Sequence, residues 1–437
     1  MKYDAIIIGA GPAGYAAAIR IGQRGKKAAI IEKDRIGGEC LNYGCIPSKA
    51  MIELANSVYS MKETPGIKAT MEIDLKEWQK WKWGMIGKLT SGVETLCKSY
   101  GVEVIRGEAR IIDRNTVSVG KERYECENLV IATGSSPVRI KGMEPAVGNR
   151  EILDLEKIPE KIVIIGGGYI GVEIGTAMAK LGSSVTIIEM MGSILPGVDQ
   201  DLVSPVARKL RTMGVEVLTS TKVSSVSGKY SVAIENGPSI ECDLVLLTVG
   251  RVPNTSGFGL ENLGLEMNGR FIRTDERKLT SVPGVYAIGD VSGEPMLAHK
   301  AYYDADVAAS NICGEDAAVE YQAMPFVIYS DPEIAYTGKK GDSESVFPLA
   351  ANGRSLGLNS TLGSYRIYFD KSGSITGAGI AAPHSSEMIS EISLAVEAGL
   401  SPADIGLTIH PHPTVSEGVK EAAEGAYGKP LHFKTGR

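Results

Sequence analysis

Ala5-Ile6-Ile7-Ile8-Gly9-Ala10-Gly11-Pro12-Ala13-Gly14-Tyr15-Ala16-Ala17-Ala18-Ile19 opens the chain with a short apolar run, a glycine-rich loop and a stretch that favours helix. The order predicts strand, tight loop and helix. In such a unit Gly9 allows the turn, Gly11 lets the backbone approach a pyrophosphate at the helix N-terminus, and Gly14 allows close packing of helix on strand. A second strand is predicted over Ala28 to Ile31, closed by Glu32 eighteen residues after Gly14. There a carboxylate can accept hydrogen bonds from both hydroxyls of a ribose. The glycine pattern alone also fits a plain glycine-rich turn; with strand, helix and Glu32 in register it reads as a dinucleotide-binding unit.

Downstream lies Gly37-Gly38-Glu39-Cys40-Leu41-Asn42-Tyr43-Gly44-Cys45-Ile46-Pro47-Ser48-Lys49, with two cysteines five apart. A disulfide needs Cα atoms within about 7 Å, which four intervening residues meet only by curling, as Gly44 permits. A ring this small is readily opened, because little loop entropy holds it shut and an exposed sulfur is open to thiolate attack. Pro47 suits the first turn of a helix whose N-terminus favours a thiolate beside it. The alternatives are a structural pair or a metal pair, and no second pair with ligand spacing completes a zinc site. The pair reads as a redox couple.

The nucleotide device returns. Ile162-Val163-Ile164-Ile165 leads into Gly166-Gly167-Gly168-Tyr169-Ile170-Gly171, a helix to about Leu181, then Val185-Thr186-Ile187-Ile188 and Glu189. Gly9 to Glu32 and Gly166 to Glu189 both span twenty-three residues. Two units imply two dinucleotides, and a redox disulfide beside the first suggests that one is a flavin and the other a nicotinamide. Glu189 is followed by Met190, Met191 and Gly192, with no base to meet a 2′-phosphate, so NAD is expected over NADP.

A chain of 437 residues with 52 glycines exceeds one ordinary core and predicts several domains. A formal charge of -6 without long basic runs speaks against nucleic acid or an anionic membrane as partner. The run Ala5 to Ile19 is glycine-interrupted and shorter than the about 20 residues of a membrane span, so a soluble cytoplasmic protein is expected. Cys97, Cys126, Cys242 and Cys313 show no framework spacing and read as small buried hydrophobes.

Elsewhere, helices are predicted over Met51 to Ser60 and Trp78 to Tyr100, and strands at Val102 to Ile105, Thr116 to Val119 and Leu129 to Ile131. Ala132-Thr133-Gly134-Ser135-Ser136-Pro137 and Thr248-Val249-Gly250-Arg251-Val252-Pro253-Asn254 break the two units alike, as domain exits or plain turns. Val285 to Ile288 ends in Gly289-Asp290, an acid where open parallel sheets bind ligands, with a helix from about Met296. From about Pro325 the pattern becomes α+β, with strands Tyr365 to Phe369 and Ile375 to Ile380 and helices Ser386 to Ala398 and Val415 to Ala426. Val415, Val419, Ala422, Ala423 and Ala426 keep helical spacing. Thr414 and Glu417 can form a capping box, which by itself explains Glu417.

The cysteine stretch, Ala132-Thr133-Gly134, Ala287-Ile288-Gly289-Asp290, Ser330-Asp331-Pro332-Glu333-Ile334-Ala335-Tyr336 and His410-Pro411-His412-Pro413-Thr414-Val415-Ser416-Glu417 together resemble the flavin-dependent pyridine nucleotide-disulfide oxidoreductases over nearly the whole chain. The nearest likeness is to the branch that oxidises dihydrolipoamide. The resemblance implies an α/β fold of two Rossmann-like domains, binding FAD and NAD, with a C-terminal α+β dimerisation domain. The expected domains are 1–138 with 266–324 for FAD, 139–265 for NAD and 325–437 for the interface. It also implies a homodimer in which His412, oriented by Glu417, faces the partner's disulfide as general base. Cys40 is then the exchanging sulfur and Cys45 the one against the flavin, with Lys49 and its partner Glu173 beside the flavin ring.

Candidate FAD contacts are Gly9, Gly11, Pro12, Ala13, Gly14, Glu32, Lys33, Gly38, Glu39, Ala132, Thr133, Gly134, Gly289, Asp290, Leu297, Ala298 and His299. Candidate NAD contacts are Gly166, Gly168, Tyr169, Ile170, Gly171, Glu189, Gly250 and Arg251. His410 has no assigned chemistry, and no metal is expected. The implied partner is a lipoyl-bearing protein of a 2-oxoacid dehydrogenase complex or glycine cleavage system. The competing readings are a reductase of another low-molecular-weight disulfide and an inert flavoprotein scaffold. Three features depart from the family pattern: Glu39, whose charge is expected to raise the Cys40 thiol; Tyr302-Tyr303, where acids are common; and a short segment between Tyr336 and Tyr365.

Overall fold

Ile6, Ile7 and Ile8 lie in the first strand, β1 (Lys2–Ile8), and are almost wholly buried, as a central parallel strand covered on both faces requires. The computed structural model describes residues 2–228 and 230–434. Helix α1 (Pro12–Gln23) buries Ala17, Ala18 and Ile21 against this strand's sheet. Next come β2 (Ala28–Glu32), a short α2 (Gly38–Tyr43), α3 (Cys45–Glu63) and α4 (Leu75–Ser99). They are followed by β3 (Glu103–Arg106), β4 (Ala109–Asp113), β5 (Thr116–Val119) and β6 (Glu122–Ile131).

The sheet order is β3-β2-β1-β6-β5-β4. Ile7 pairs with Ile30 on one side and Val130 on the other, both parallel. The strand expected at Leu129 to Ile131 is thus the end of a longer one, whose first half turns antiparallel against β5.

The exit strand β7 (Ser135–Pro137) and helix α5 (Asn149–Ile152) lead to a second unit. It holds β8 (Lys161–Ile165), α6 (Tyr169–Leu181), β9 (Ser184–Ile188), α7 (Gln200–Thr212), β10 (Glu216–Leu218) and β11 (Leu244–Leu247). The order β10-β9-β8-β11 is parallel throughout. Strand β12 (Arg251–Pro253) then pairs antiparallel with β7, so the two breaks read from sequence form one ribbon between the units. β13 (Val285–Ala287) returns to the first sheet beside β6, and α8 (Ala298–Ile312) packs on α1.

The C-terminal part is a five-stranded antiparallel sheet of β14 (Phe326–Ile328), β15 (Ile334–Gly338), β16 (Ser343–Pro348), β17 (Ser364–Phe369) and β18 (Ile375–Ala381), ordered β14-β15-β18-β17-β16. Helices α9 (Ser385–Glu397), α10 (Pro402–Leu407) and α11 (Glu417–Gly425) follow, with α9 and α11 covering the sheet. The last helix starts at Glu417 rather than Val415. Tyr365 Oη donates to the Val415 carbonyl at 2.8 Å and holds that residue outside the helix. Of the four cysteines expected to be buried, Cys97 and Cys126 are, and burial pushes their thiols up to about 11 and about 12. Cys242 and Cys313 are only half-buried. Among the described residues no helix is long and apolar enough to cross a membrane, and no cluster suits a metal ion.

Candidate active site

Gly37 and Gly38 both take positive φ, +93° and +59°, which turns the chain out of β2 into α2. A Cβ on Gly38 would stand 2.6 Å from Gly11 Cα, so the redox turn lies directly on the first glycine loop. Gly44 then separates α2 from α3, which begins at Cys45. Both cysteines stand as thiols. The Cys40 S–H bonds to Cys45 and, with the Lys49 ammonium, brings the Cys45 thiol down to about 7 against the opposing effect of burial. Cys40 is pushed far up by the same bond and by burial, so one sulfur is the thiolate and the other its donor.

Lys49 reaches across to the second unit, where Nζ donates to Glu173 Oε2 at 2.8 Å. Burial would depress this lysine, but the Glu173 carboxylate outweighs it and holds the ammonium charged. Glu173 is buried, and its other oxygen accepts from the Tyr329 amide at 3.0 Å. The Tyr329 ring lies 4.5 Å from Lys49 Nζ. No sequence pattern points to Tyr329, which follows β14 of the C-terminal sheet.

A cavity of about 860 Å³ runs between the two units. Gly9, Gly11, Pro12, Ala13, Glu32, Lys33, Gly38, Glu39, Cys40, Cys45 and Lys49 line it. So do Ala132, Thr133, Gly134, Gly289, Asp290 and Ala298, with Tyr169, Ile170, Glu173 and Arg251 from the other side. Other predicted contacts do not line it. Gly14 is used in packing: a Cβ there would sit 1.8 Å from the Gly9 carbonyl, as one on Gly171 would sit 2.0 Å from that of Gly166. Leu297 caps α8, and His299 turns away because its Nε2 bonds the Pro325 carbonyl at 2.7 Å. Gly166, Gly168, Glu189 and Gly250 belong to the second unit's own glycine turn and strand ends, outside this cavity.

The two acids repeat one another. Glu32 accepts from the amides of Ala10 (2.7 Å) and Asp34 (2.8 Å), and Glu189 from those of Gly167 (2.7 Å) and Met191 (2.8 Å). Beside the cavity Ser135 Oγ donates to Asp290 at 2.5 Å, and Arg251 Nε donates to Ser135 Oγ at 2.8 Å. The turn at Gly289 rests on Asp304, fully buried, which accepts from the Gly289 amide (3.1 Å) and Lys300 (2.9 Å), and from the Tyr321 hydroxyl. Lys300 and Asp304 at helical i,i+4 spacing were a signal that could have revealed this support.

His412 Nδ1 lies 2.8 Å from Glu417 Oε1, and Glu417 Oε2 accepts from the Thr414 amide at 2.8 Å. One carboxylate therefore serves both as helix-start acceptor and as histidine partner. His412 itself is 76 % exposed, and among the described residues no hydrogen bond or ion pair within the chain joins it to either cysteine. His410 is the buried one: Nε2 lies 3.2 Å from Glu391, which raises its pKa, and Nδ1 lies 3.0 Å from the Thr408 carbonyl. On the same C-terminal module Leu394, Leu407 and Ile409 are 67 %, 84 % and 93 % exposed, large apolar side chains that one chain leaves uncovered.

Residues 3–305 match the pyridine nucleotide-disulphide oxidoreductase family, and 324–423 match the dimerisation domain of that family. The chain is 44 % identical to the dihydrolipoyl dehydrogenase of Geobacillus stearothermophilus, with 100 % of this chain and 98 % of the relative covered. It is 40 % identical to that of Haloferax volcanii, covering 98 % and 97 %. Among solved structures, LpdA of Mycobacterium tuberculosis superposes with a TM-score of 0.89 at 26 % identity, covering 96 % of this chain and 99 % of that one. The HOCl-induced flavoprotein disulfide reductase RclA of Escherichia coli follows at 0.88 and 26 %, covering 97 % and 99 %. The dimerisation domain makes the protein one half of a homodimer. The chain belongs to the pyridine nucleotide-disulphide oxidoreductases, FAD- and NAD-dependent flavoprotein enzymes.

Proposed function

We propose that the protein is a dihydrolipoyl dehydrogenase, oxidising the dihydrolipoyl group of a lipoyl-bearing protein of a 2-oxoacid dehydrogenase complex or glycine cleavage system. The observation that carries this is the Cys45 thiolate, held by Cys40 and Lys49 at the wall of a cavity that both nucleotide units share. Relatives with that name cover the full chain. In the oxidised enzyme, with Cys40 and Cys45 joined as a disulfide, a substrate thiol gives its proton to the partner subunit's His412, and the resulting thiolate attacks Cys40, breaking the Cys40–Cys45 bond. Cys45 leaves as thiolate, beside the Lys49 ammonium. The second substrate thiol, deprotonated in turn, displaces Cys40 and releases the oxidised disulfide, and Cys40 takes up the proton. Glu417 fixes the imidazole tautomer by accepting at Nδ1, leaving Nε2 free to take the substrate proton. FAD, when bound, supplies the two-electron transfer between the dithiol and NAD+.

The residues present fit such a group: Gly11 opens on the cavity with nothing within 4 Å of a Cβ position, and Glu32 stands at the strand end as acceptor. On this reading Gly9, Gly11, Pro12, Ala13, Gly38, Ala132, Thr133, Gly134, Gly289, Asp290 and Ala298 hold FAD. Gly166, Gly168, Tyr169, Ile170, Gly171, Glu189, Gly250 and Arg251 hold NAD. Met190 and Met191 after Glu189 favour NAD over NADP. The proposed domains are 1–138 with 266–324, 139–265 and 325–437, and the proposed setting is the cytoplasm. RclA favours a second reading, a reductase of another disulfide, because its fold superposes nearly as well as that of LpdA.

Anaerobic mixing of the holoenzyme with dihydrolipoamide and NAD+, with NADP+ in parallel, separates the two. The expected result is NADH formation with NAD+ alone, abolished by Cys45→Ser. A flavin-loaded protein that forms no NADH from dihydrolipoamide would overturn the proposal in favour of another disulfide.

A further inference from the structure

Glu39 does not stand alone beside Cys40, as its position in the sequence suggests. Its carboxylate is occupied elsewhere: Oε1 accepts from Asn149 Nδ2 at 2.8 Å and lies 3.8 Å from Arg251 Nη1, while Oε2 accepts from Arg150 Nη2 at 2.8 Å and Nε at 3.2 Å. Asn149 and Arg150 begin α5, on the way into the second unit, and Arg251 begins β12, on the way out. One carboxylate therefore meets both crossings of the chain between the units. The far end of α2 is held by the same two residues: Asn149 Nδ2 donates to the Tyr43 carbonyl at 2.7 Å, and the Arg150 guanidinium lies 3.9 Å from the Tyr43 ring centre. Asp34 adds a second carboxylate 3.5 Å from Arg150.

The charges around the redox turn sum in a definite way. Two guanidiniums stand against Glu39 and Asp34, while Lys49 and Glu173 balance one another at Cys45. Tyr15 on α1 and Tyr302 on α8 face the same turn, and their hydroxyls, 2.6 Å apart, add no charge because burial pushes both well above the usual tyrosine range. Removing Glu39 shifts the field at Cys40 toward positive, and removing Arg150 shifts it toward negative.

We propose that Glu39 is a charge-balancing positioning residue. Its carboxylate, together with that of Asp34, cancels Arg150 and Arg251 beside the redox turn, so that the guanidiniums can fasten α2 to both interdomain crossings without biasing the exchanging sulfur.

The test is the rate of Cys40 alkylation by iodoacetamide at one fixed pH in holoenzyme reduced with dithiothreitol, read on the Cys40 peptide by mass spectrometry, because below its pKa a thiol reacts in proportion to its thiolate fraction. It needs no knowledge of the physiological dithiol, so its failure is separate from any failure of the proposed function. In Glu39→Gln the rate rises about threefold and in Arg150→Gln it falls by about as much, the sizes expected for partly exposed charges. The double variant Glu39→Gln with Arg150→Gln returns close to wild type, as does the exchanged pair Glu39→Arg with Arg150→Glu. A purely structural role would move the rate of both single variants in the same direction. That result, or no movement in either, overturns the proposal.

Discussion

Lys49 shows how much one side chain carries here. Its ammonium neutralises Glu173, which among the described residues has only the Tyr329 amide as a further donor, and it helps hold Cys45 as thiolate. In Lys49→Met the carboxylate is left buried and uncompensated, a change that costs about 3–5 kcal/mol when one partner of a buried pair is removed. Because the Cys45 pKa is depressed, its thiolate is present above pH 7 and is lost as the pH falls through about 7. Without Lys49 that midpoint rises, and titration of thiolate absorbance in the reduced holoenzyme measures it. An unchanged midpoint would show that the Cys40 hydrogen bond alone holds the thiolate. Cys40, Cys45 and Lys49 were legible because a turn forces them together along the chain. Tyr329, Asn149 and Arg150 were not, since only tertiary packing brings them to the turn and no local pattern announces it. The reading of Glu39 was incomplete for the same reason: its neighbours in sequence are the sulfurs, but its partners in space are the guanidiniums.

At the scale of elements, the glycine loops do two different things that one motif conceals. Gly9 and Gly166 turn the chain at positive φ, whereas Gly14 and Gly171 leave room for the preceding carbonyl. Gly38 does both, with positive φ and its Cβ position 2.6 Å from Gly11. Gly38→Ala therefore combines backbone strain of about 1–3 kcal/mol with displacement of the redox turn from the nucleotide loop. The variant is expected to melt lower and to lose flavin on gel filtration. Gly66→Ala is the control: φ is also positive, +87°, but nothing lies within 4 Å. It should melt slightly lower and keep its flavin; equal flavin loss in both would make strain alone the cause. The strand, loop and helix order of both units was readable from periodicity. The pairing of β7 with β12 was not, because each segment taken alone is only a break after a strand.

For the whole molecule, the catalytic set is split. The cysteines line the cavity between the two units, whereas His412 stands exposed on the C-terminal module without a bond to either sulfur in its own chain. Leu394, Leu407 and Ile409 of the same module are exposed, and each such side chain contributes about 1.5–3 kcal/mol when buried. In the proposed mechanism the dimer covers them and brings the dyad of one subunit to the turn of the other. Replacing Leu407 and Ile409 together by Glu would place two charges in that contact, and the protein should sediment as a monomer. Each monomer keeps its cavity, both nucleotide units and the Lys49–Glu173 pair, so flavin stays bound and NADH still reduces an artificial electron acceptor. Dithiol oxidation, which in the proposed mechanism needs the partner's base, should fall by about 10² or more, the usual range for a lost general base. A monomer that oxidised dihydrolipoamide at the wild-type rate would mean that His412 serves the cysteines of its own chain, and the dimer would then be scaffolding rather than part of the active site.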